Sequence, residues 1–283
     1  MRFATLRRPR RPAYLVRITD GIATPIGRAY ERPGVDPLRL ILESGCNPAR
    51  IKPIARPFPV KGASYLPPVT APSKIIAVMA NYAAHAKEAG IAAPKEPLTA
   101  AKYPSSLIGH GSTIRYRRRD AKGVDYEGEL AFVMGRRARN VKLANALDYV
   151  FGYTVCNDIT ARDVYMKEGQ ITRSKSFDTF TPVGPTLVPA SEVPDPQALR
   201  MQTRINGQVV QDDTTASMIF SCAEAIAYLS RFMTLEVGDL ITSGTPDGAG
   251  YFRKPRVLLI DGVRAEVEVE GIGTLRNRVK VAP

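Results

Sequence analysis

The sequence Asp125-Tyr-Glu-Gly-Glu-Leu-Ala-Phe-Val-Met134 joins two carboxylates to a strongly apolar run. The composition of residues 130–134 is typical of a core β-strand, and alternation along a strand directs Glu127 and Glu129 to the same face. Two adjacent negative charges beside a core repel each other and lose hydration, so they need a compensating cation. The segment therefore predicts a buried strand with a charged site at its start.

A third carboxylate, Asp158, closes a second apolar strand that is predicted over residues 149–155. Three carboxylates with no neighbouring His or Cys thiolate suit a hard divalent cation, Mg²⁺ or Mn²⁺, with positions left for water and substrate. Two simpler interpretations stay open. A Glu-x-Glu pair on a strand is usually a solvated face. Asp158 could also cap a helix predicted over residues 159–165, where Thr160 and Asp163 would form a capping box.

The bulk composition describes an ordinary soluble globular protein. The 283 residues suffice for one large domain, or for a small domain attached to a larger one, and 44% of them are apolar. No apolar run reaches the roughly 18 residues of a membrane span, and the basic N-terminus lacks the apolar stretch of a signal peptide. The three cysteines lack metal-type spacing. We therefore predict reduced thiols, a cytoplasmic location and no membrane association.

The net charge of +13 bears on the choice of partner. Arginines cluster at residues 7–11, 115–119 and 136–139, which could indicate phosphate contacts with a nucleic acid. These clusters lack interleaved aromatic residues, a Gly-rich RNA motif and a helix-turn-helix pattern. A solvated surface is the simplest explanation of any one cluster, and steering of a small anionic substrate fits better than nucleic-acid binding.

The N-terminal quarter of the chain differs in texture from the rest. Residues 1–70 are rich in Pro and Arg, with a strand-like piece at 14–18, a helical piece at 36–43 and a Pro-studded connector at 51–72. This composition predicts a small N-terminal domain with a linker, followed by a catalytic domain over residues 71–283.

The remainder alternates short strands with few helices. Ile75–Met79 has the composition of a buried strand, residues 82–89 predict a short helix, and the polar stretch 90–104 predicts a mobile loop. A helix is predicted at 221–232, and the end of the chain from 265 alternates as antiparallel strands do. Because no βαβ rhythm is present, a Rossmann fold is rejected. The predicted class is α+β, mainly β, with mixed and mostly antiparallel strands.

Three further segments carry candidate chemistry. His85 and Glu88 are three residues apart on a predicted helix, where the carboxylate can orient the imidazole so that it takes a proton from water. Lys175 precedes an aromatic strand and would want an anionic partner if buried, and Thr179 offers a hydroxyl nearby. The loop 244–250 is glycine-rich and could form an anion-binding nest. The alternatives are a surface contact for the His85–Glu88 pair, a solvated side chain for Lys175 and a tight turn for the loop.

Five separated blocks, taken together, resemble the fumarylacetoacetate hydrolase family. Each block alone is modest evidence, whereas all five in the expected order are specific, and they cover about residues 70 to 283. The blocks are Lys74-Ile-Ile-Ala-Val-Met-Ala-Asn-Tyr-Ala-Ala-His85, Asp125-Tyr-Glu-Gly-Glu-Leu-Ala131, Gly152-Tyr-Thr-Val-Cys-Asn-Asp-Ile-Thr-Ala-Arg-Asp163, Lys175-Ser-Phe-Asp-Thr-Phe-Thr-Pro-Val-Gly-Pro185 and Gly238-Asp-Leu-Ile-Thr-Ser-Gly-Thr-Pro246.

The resemblance implies a fold and a set of roles. The fold is a mixed, mostly antiparallel β-roll or barrel, usually in a homodimer, beside a small N-terminal α/β domain. Glu127, Glu129 and Asp158 would hold Mg²⁺ or Mn²⁺, and His85 with Glu88 would activate water on or near a lid. The predicted substrate-binding residues are Asn81, Tyr82, Lys175, Thr179, Gly244 and Thr245.

Two positions depart from the family pattern. Met79 stands where a Gly commonly precedes the Asn-Tyr pair, and Tyr165 stands where a Gln often follows the Arg-Asp pair. Neither residue is a proposed metal ligand. Both therefore bear on the identity of the substrate rather than on the metal site.

The implied chemistry is the stabilisation of an enolate derived from a 2-oxo acid or β-diketone. The retained His85–Glu88 pair favours hydrolysis of a carbon–carbon bond in an acylpyruvate-type substrate, with residues 85–104 closing over the site. An oxaloacetate-type decarboxylase or a 2-hydroxy-dienoate isomerase would use the same enolate. A catalytically silent relative or a basic nucleic-acid binder is the alternative from a different class.

Overall fold

A computed structural model describes residues 1–29 and 35–283 of the chain. Its strands, in chain order, are β1 (Arg2–Arg7), β2 (Ala13–Thr19), β3 (Ile22–Arg28), β4 (Phe58–Pro59), β5 (Ser64–Leu66), β6 (Ile75–Met79), β7 (Leu98–Lys102), β8 (Leu107–Ile108), β9 (Thr113–Arg117), β10 (Val124–Asp125), β11 (Gly128–Met134), β12 (Val150–Asn157), β13 (Thr160–Ala161), β14 (Thr181–Pro189), β15 (Arg200–Ile205), β16 (Gln208–Thr214), β17 (Leu240–Thr242), β18 (Arg264–Val269) and β19 (Gly273–Ala282).

The helices are short and few. The α-helices are α1 (Pro37–Glu43), α2 (Ala83–Glu88), α3 (Arg162–Glu168), α4 (Ile171–Lys175) and α5 (Cys222–Phe232). The 3₁₀ helices are Pro48–Arg50, Pro104–Ser106, Leu143–Tyr149, Ala190–Glu192 and Thr215–Ser217. Within the described ranges, no helix has both the length and the apolar character needed to cross a membrane.

The strands form one large sheet and two smaller ones. The large sheet has the order β4-β3-β2-β1-β14-β12-β11-β17-β6-β7, with β5 added to β1 and β8 added to β14. A second sheet has the order β16-β15-β18-β19-β9, and β10 pairs with β13. Most neighbours are antiparallel, while β6–β17, β8–β14 and β9–β19 are parallel. The predicted α+β, mainly β class with mixed and mostly antiparallel strands is confirmed.

Strand β11 is buried along its whole length because it lies inside the large sheet with a core on each face. Leu130, Phe132 and Met134 pack into one apolar cluster, whereas Ala131 and Val133 pack into another. Helix α5 covers the first cluster, and Ser221 caps it in a capping box with Glu224. The unbroken apolar run of the sequence follows from this two-sided burial.

The N-terminal segment is continuous with the large sheet. Strand β1 pairs with β14 in antiparallel fashion, with Phe3 opposite Leu187, and β2 to β5 extend the sheet outward from β1. The helix predicted at 36–43 forms over Pro37–Glu43, and Asp36 caps it by accepting from the amide of Arg39 at 2.9 Å. A domain boundary between residues 70 and 71 stays a prediction.

Two local predictions were wrong. The stretch 90–104 is not a loop throughout, because β7 spans Leu98–Lys102 and pairs with β6 along its full length. The helix predicted over 159–165 begins only at Arg162, since Thr160 belongs to β13 and pairs with Asp125. The capping box of Thr160 and Asp163 does not form, and no side chain makes a capping hydrogen bond at the N-terminus of α3.

The cysteines provide a test of the core. Cys46 is exposed, whereas Cys156 and Cys222 are buried, and all three are free thiols. Burial raises the pKa of the Cys156 thiol, and it raises the pKa of Cys222 to about 12. Because the thiolate is the reactive form, we expect one thiol to react with Ellman's reagent in the native protein and three after denaturation. Cys46→Ser should leave no fast-reacting thiol, and rapid labelling of a second native cysteine would contradict this packing.

Candidate active site

Three buried carboxylates meet where β11 begins and β12 ends. Antiparallel pairing sets Gly128 opposite Asn157, so Glu127 and Glu129 come next to Asp158. The amide of Asp158 donates to the carbonyl oxygen of Glu127 at 2.8 Å, which fixes this junction. One oxygen from each carboxylate lies within 4.8 Å of the other two. The three acidic residues predicted from the sequence therefore form one buried group that could hold a divalent cation.

Basic side chains surround this group. Lys175 Nζ donates to Glu127 Oε2 at 2.6 Å and to Asp158 Oδ2 at 2.7 Å. Lys102 Nζ donates to Asp158 Oδ1 at 2.5 Å, and Arg162 donates to Glu127. Neither side-chain oxygen of Asp158 caps the backbone amides of a helix terminus, so the interpretation of Asp158 as a helix cap is wrong.

The buried charges do not balance among the described residues. Seven side chains are involved, namely the carboxylates Asp125, Glu127, Glu129 and Asp158 and the cations Lys102, Arg162 and Lys175. When all are ionised, the cluster keeps one uncompensated negative charge. An unbalanced buried charge is costly, so the cluster favours either a bound cation or a proton on one carboxylate.

Glu129 is the carboxylate on which this uncompensated negative charge falls. It accepts from the amide of Gly244 at 2.9 Å, and none of the described ion pairs includes it. Burial, followed by the charges of Asp158 and Glu127, raises its pKa well above the usual value. Burial opposes ionisation of Glu127 as well, but Arg162 and Lys175 outweigh it and lower the pKa of that group.

The donor set fits a hard divalent cation. Carboxylate oxygens are the ligands that Mg²⁺ and Mn²⁺ prefer, and each oxygen has lone pairs beyond those used by a lysine. A cation bound between Glu127, Glu129 and Asp158 would compensate the negative charge of Glu129, which has no cationic partner among the described ion pairs. The roles of these residues as ligands stay predictions.

His85 and Glu88 form a hydrogen-bonded pair on α2. His85 Nδ1 lies 2.8 Å from Glu88 Oε1, and His85 Nε2 lies 3.7 Å from Glu127 Oε1. Because an ionised carboxylate only accepts hydrogen bonds, Nδ1 donates to Glu88, and in the neutral imidazole the lone pair is then on Nε2. The imidazole therefore has one nitrogen held in place and the other nitrogen directed at the acidic group.

The glycine-rich loop after β17 binds two carboxylates of this chain. Gly244 donates its amide to Glu129, while the amides of Gly248 and Ala249 donate to Glu88 at 2.9 and 3.2 Å. Gly244 has a φ of 89°, and a Cβ at this position would lie only 2.7 Å from the Cβ of Asn81. The loop is thus the anion-binding nest expected from the sequence, and it holds the acidic group and the His85–Glu88 pair in register.

A cavity of about 350 Å³ opens onto these groups. Its polar lining includes His85, Glu127, Glu129, Arg162 and Lys175, whereas Asp158 is buried behind the wall. The two positions that depart from the family pattern, Met79 and Tyr165, also line it. The cavity therefore brings two carboxylates of the candidate cation site together with His85 and Lys175.

The predicted substrate-binding residues divide into two groups. Lys175, Gly244 and Thr245 line the cavity, although the Thr245 hydroxyl already donates to the carbonyl of Gly128 at 2.9 Å. Asn81, Tyr82 and Thr179 are not part of its described wall.

Each of these three outlying residues has another partner. The side-chain amide of Asn81 donates to the carbonyls of Phe220 and Ser243, and the Tyr82 hydroxyl lies 3.9 Å from the sulfur of Met201. The Thr179 hydroxyl accepts from the amide of Arg115 and donates to its carbonyl oxygen. The substrate-binding roles of these three residues stay predictions.

The sequence did not reveal Lys102 and Arg162 as members of the site. Lys102 fell in the stretch interpreted as a loop, yet Ala100 and Lys102 alternate as buried residues on one strand. This alternation appears only in the burial of the folded strand, because the sequence Leu98-Thr-Ala-Ala-Lys102 does not alternate apolar and polar residues. Arg162 opens α3, and only the tertiary contact with Asp125 and Glu127 gives it a role.

Comparison with known proteins decides the family. A family model described as fumarylacetoacetate (FAA) hydrolase C-terminal matches residues 74–280. The chain belongs to the fumarylacetoacetate hydrolase family. The resemblance stated from the five sequence blocks is thereby confirmed.

Members of this family with different activities are similar to the chain. A mitochondrial oxaloacetate tautomerase of Rattus norvegicus is 40% identical over 223 residues, which cover 78% of this chain and 71% of that protein. The structure of a fumarylacetoacetate hydrolase from Exiguobacterium antarcticum matches 99% of this chain and 100% of its own, with a TM-score of 0.85 and 33% identity. A 5-carboxymethyl-2-hydroxymuconate delta-isomerase from Mycobacterium smegmatis matches 100% of both chains, with a TM-score of 0.80 and 34% identity.

Replacement of Lys102 should destabilise the fold. Lys102→Met keeps the length of the side chain but leaves Asp158 with one fewer buried cation, so we expect the free energy of unfolding to fall by about 3 kcal/mol. The matched control is Lys142→Met, because Lys142 is exposed. Chemical denaturation measures both variants, and equal stability of the two would show that Lys102 is dispensable.

Replacement of Glu129 should weaken cation binding, and this effect can be measured without an assay of turnover. Glu129→Gln removes a charge but keeps the shape, and we expect the Mn²⁺ affinity to fall at least about tenfold, as it does when even a supporting residue of a metal site is changed. Calorimetry or the Mn²⁺ paramagnetic resonance signal reports the affinity. Glu266→Gln on β18 is the control, and unchanged Mn²⁺ binding in Glu129→Gln would exclude the acidic group as the cation site.

Proposed function

We propose that this chain catalyses keto–enol tautomerisation of a small 2-oxo acid, with Mg²⁺ or Mn²⁺ as its cation. The observation that carries the proposal is the convergence of His85, Lys175, Glu127 and Glu129 on one cavity, with Glu88 bonded to His85 and Asp158 grouped with the two glutamates behind the wall. A base, a positively charged stabiliser of oxygen and a cation site are the parts that enolisation requires.

The cation site would be formed by Glu127, Glu129 and Asp158. When bound, a divalent cation supplies Lewis-acid polarisation of the substrate's 2-oxo and carboxylate oxygens. Lys175 lies at the same place, since its Nζ contacts Glu127 and Asp158. Its pKa is raised because these carboxylates outweigh the effect of burial, so it is charged at neutral pH and stabilises negative charge on a substrate oxygen.

His85 supplies the proton transfer. Its Nε2 takes a proton from the carbon next to the 2-oxo group, and the electron pair of that C–H bond moves onto the 2-oxo oxygen. The 2-oxo oxygen then takes this proton from the His85 imidazolium to give the enol, which regenerates the neutral base, and the reverse sequence restores the ketone. Glu88 holds the imidazole in the orientation that leaves Nε2 free, and it stabilises the imidazolium that forms.

The relatives support a proton-transfer activity. The rat protein that is 40% identical over 223 residues is named an oxaloacetate tautomerase, and the Mycobacterium smegmatis neighbour is named a delta-isomerase. Tautomerisation and isomerisation need an enolate and a base but no attacking water. The cavity of this chain offers a candidate base and groups that would stabilise the enolate.

Hydrolysis of a carbon–carbon bond in an acylpyruvate or β-diketo acid, including fumarylpyruvate-like and fumarylacetoacetate-like substrates, is the second candidate. The observation that favours it is the same free Nε2 of His85, which can take a proton from water as readily as from carbon. Oxaloacetate-type decarboxylation would need only the enolate-stabilising groups. A homodimer and a cytoplasmic location remain predictions that accompany either activity.

Substitution of His85 separates the reactions that need a base from decarboxylation, and the three assays separate tautomerisation from hydrolysis. We expect His85→Ala to lower tautomerisation and hydrolysis by about 10²- to 10⁴-fold, because both need a base, while decarboxylation of oxaloacetate keeps most of its rate. The measurements are deuterium exchange at carbon 3 of 2-oxo acids, cleavage of acetylpyruvate and release of CO₂, each with Mg²⁺ or Mn²⁺.

His110→Ala is the matched control, because His110 is the second histidine of the chain and its ring accepts from the amide of Arg276. This variant should retain full activity. The proposal fails if the unmodified protein turns over none of these 2-oxo acids with either metal.

A further inference from the structure

The cavity has two kinds of wall. Its charged wall is joined by direct contacts through Glu127, which bonds to Lys175 and Arg162 and lies near His85. Most of the remaining lining is apolar, with the hydroxyl groups of Tyr165 and Thr245 as polar exceptions. Its apolar side chains come mainly from β6, from the residues between α2 and the start of β7, and from α3 and α4. Its main side chains are Met79, Ile91, Leu98, Met166 and Ile171.

The apolar wall is contiguous in the fold. Met79 and Leu98 are direct partners at the paired ends of β6 and β7. Helix α4, which begins with Ile171, packs against β7 and α3. Ile91, Leu98 and Met166 are about half exposed or more, at 48%, 46% and 65%, so apolar surface remains available at the cavity.

The cations on the described wall are already engaged. Arg162 pairs with Asp125 and Glu127, and Lys175 pairs with Glu127 and Asp158. Lys95 and Lys167 are exposed residues of the neighbouring segments and do not belong to the described lining. Both cations of the described lining lie on the charged wall, so a second carboxylate directed at the apolar side would lose hydration without a charged partner.

We propose that the substrate is a 2-oxo acid with a single carboxylate and a short apolar tail, rather than a dicarboxylate. This inference rests on the proposed enolisation at the charged wall. The 2-oxo acid end is held near Lys175, and the tail contacts Met79, Leu98 and Ile171. The volume of about 350 Å³ is at the small end of ligand pockets, which limits the tail to a few carbons.

Isosteric substrates test this proposal on the unmodified protein. 4-Methyl-2-oxopentanoate matches oxaloacetate in shape, and 5-methyl-2-oxohexanoate matches 2-oxoglutarate, because an isopropyl group replaces the terminal carboxylate in each pair. Deuterium exchange at carbon 3, followed by NMR with Mg²⁺ or Mn²⁺, gives kcat/KM for every compound. We expect the branched member to exceed its dicarboxylate partner at least about tenfold in each pair.

A charge added to the wall should reverse part of this preference. Leu98→Arg places a cation at the apolar side, and we expect the ratio of kcat/KM to shift about fivefold toward the dicarboxylates. Leu40→Arg is the matched control, since Leu40 is 52% exposed on α1 and lies outside the described lining. The control should leave the ratio unchanged.

The outcomes separate the two proposals. Equal or faster exchange of the dicarboxylates by the unmodified protein would overturn the apolar-tail inference and leave enolisation standing. Absence of exchange from all four compounds would overturn enolisation and the inference together. The comparison of isosteres needs no variant, so it holds even if Leu98→Arg does not fold.

Discussion

The structure depends on the burial of four carboxylates beside three cations at one junction of the large sheet. Glu127 and Asp158 share the ammonium group of Lys175, and Lys102 holds the far oxygen of Asp158. Every one of these groups has lost its water, so each must be compensated by another. Glu129 is the exception, and its raised pKa marks the place where a further positive charge would be most stabilising.

The pairing of the backbone strands determines where these charged side chains meet. Antiparallel pairing of β11 with β12 brings together the ends of two largely apolar strands, and the acidic residues lie at those ends. The loop after β17 then contributes amides to Glu129 on one side and to Glu88 on the other. This loop therefore couples the position of His85 to the position of the acidic group, although α2 is only six residues long.

The two walls of the cavity are built from the same short segments. On the stretch from Met79 to His85, on α3 and on α4, an apolar residue of one wall is close in sequence to a charged or titratable residue of the other, as Ile171 and Lys175 are at the two ends of α4. Met79 and Tyr165, the positions at which this chain departs from the family pattern, also line the cavity. A substitution on these segments can therefore change the apolar side while the charged residues stay in place, and one fold can host different activities.

The sequence by itself determined the fold class, the family and the acidic group, because these depend on local patterns. An apolar run with carboxylates at its start specifies a buried strand, and the spacing of His85 and Glu88 specifies a contact within one helical turn. Only the tertiary structure decided that Lys102 reaches Asp158, that Arg162 reaches Glu127, and that Thr179 bonds to the backbone of Arg115. These contacts join residues 35 to 64 positions apart, and no local pattern encodes them. They follow from strand pairing and from the need of each buried charge for a partner of opposite sign.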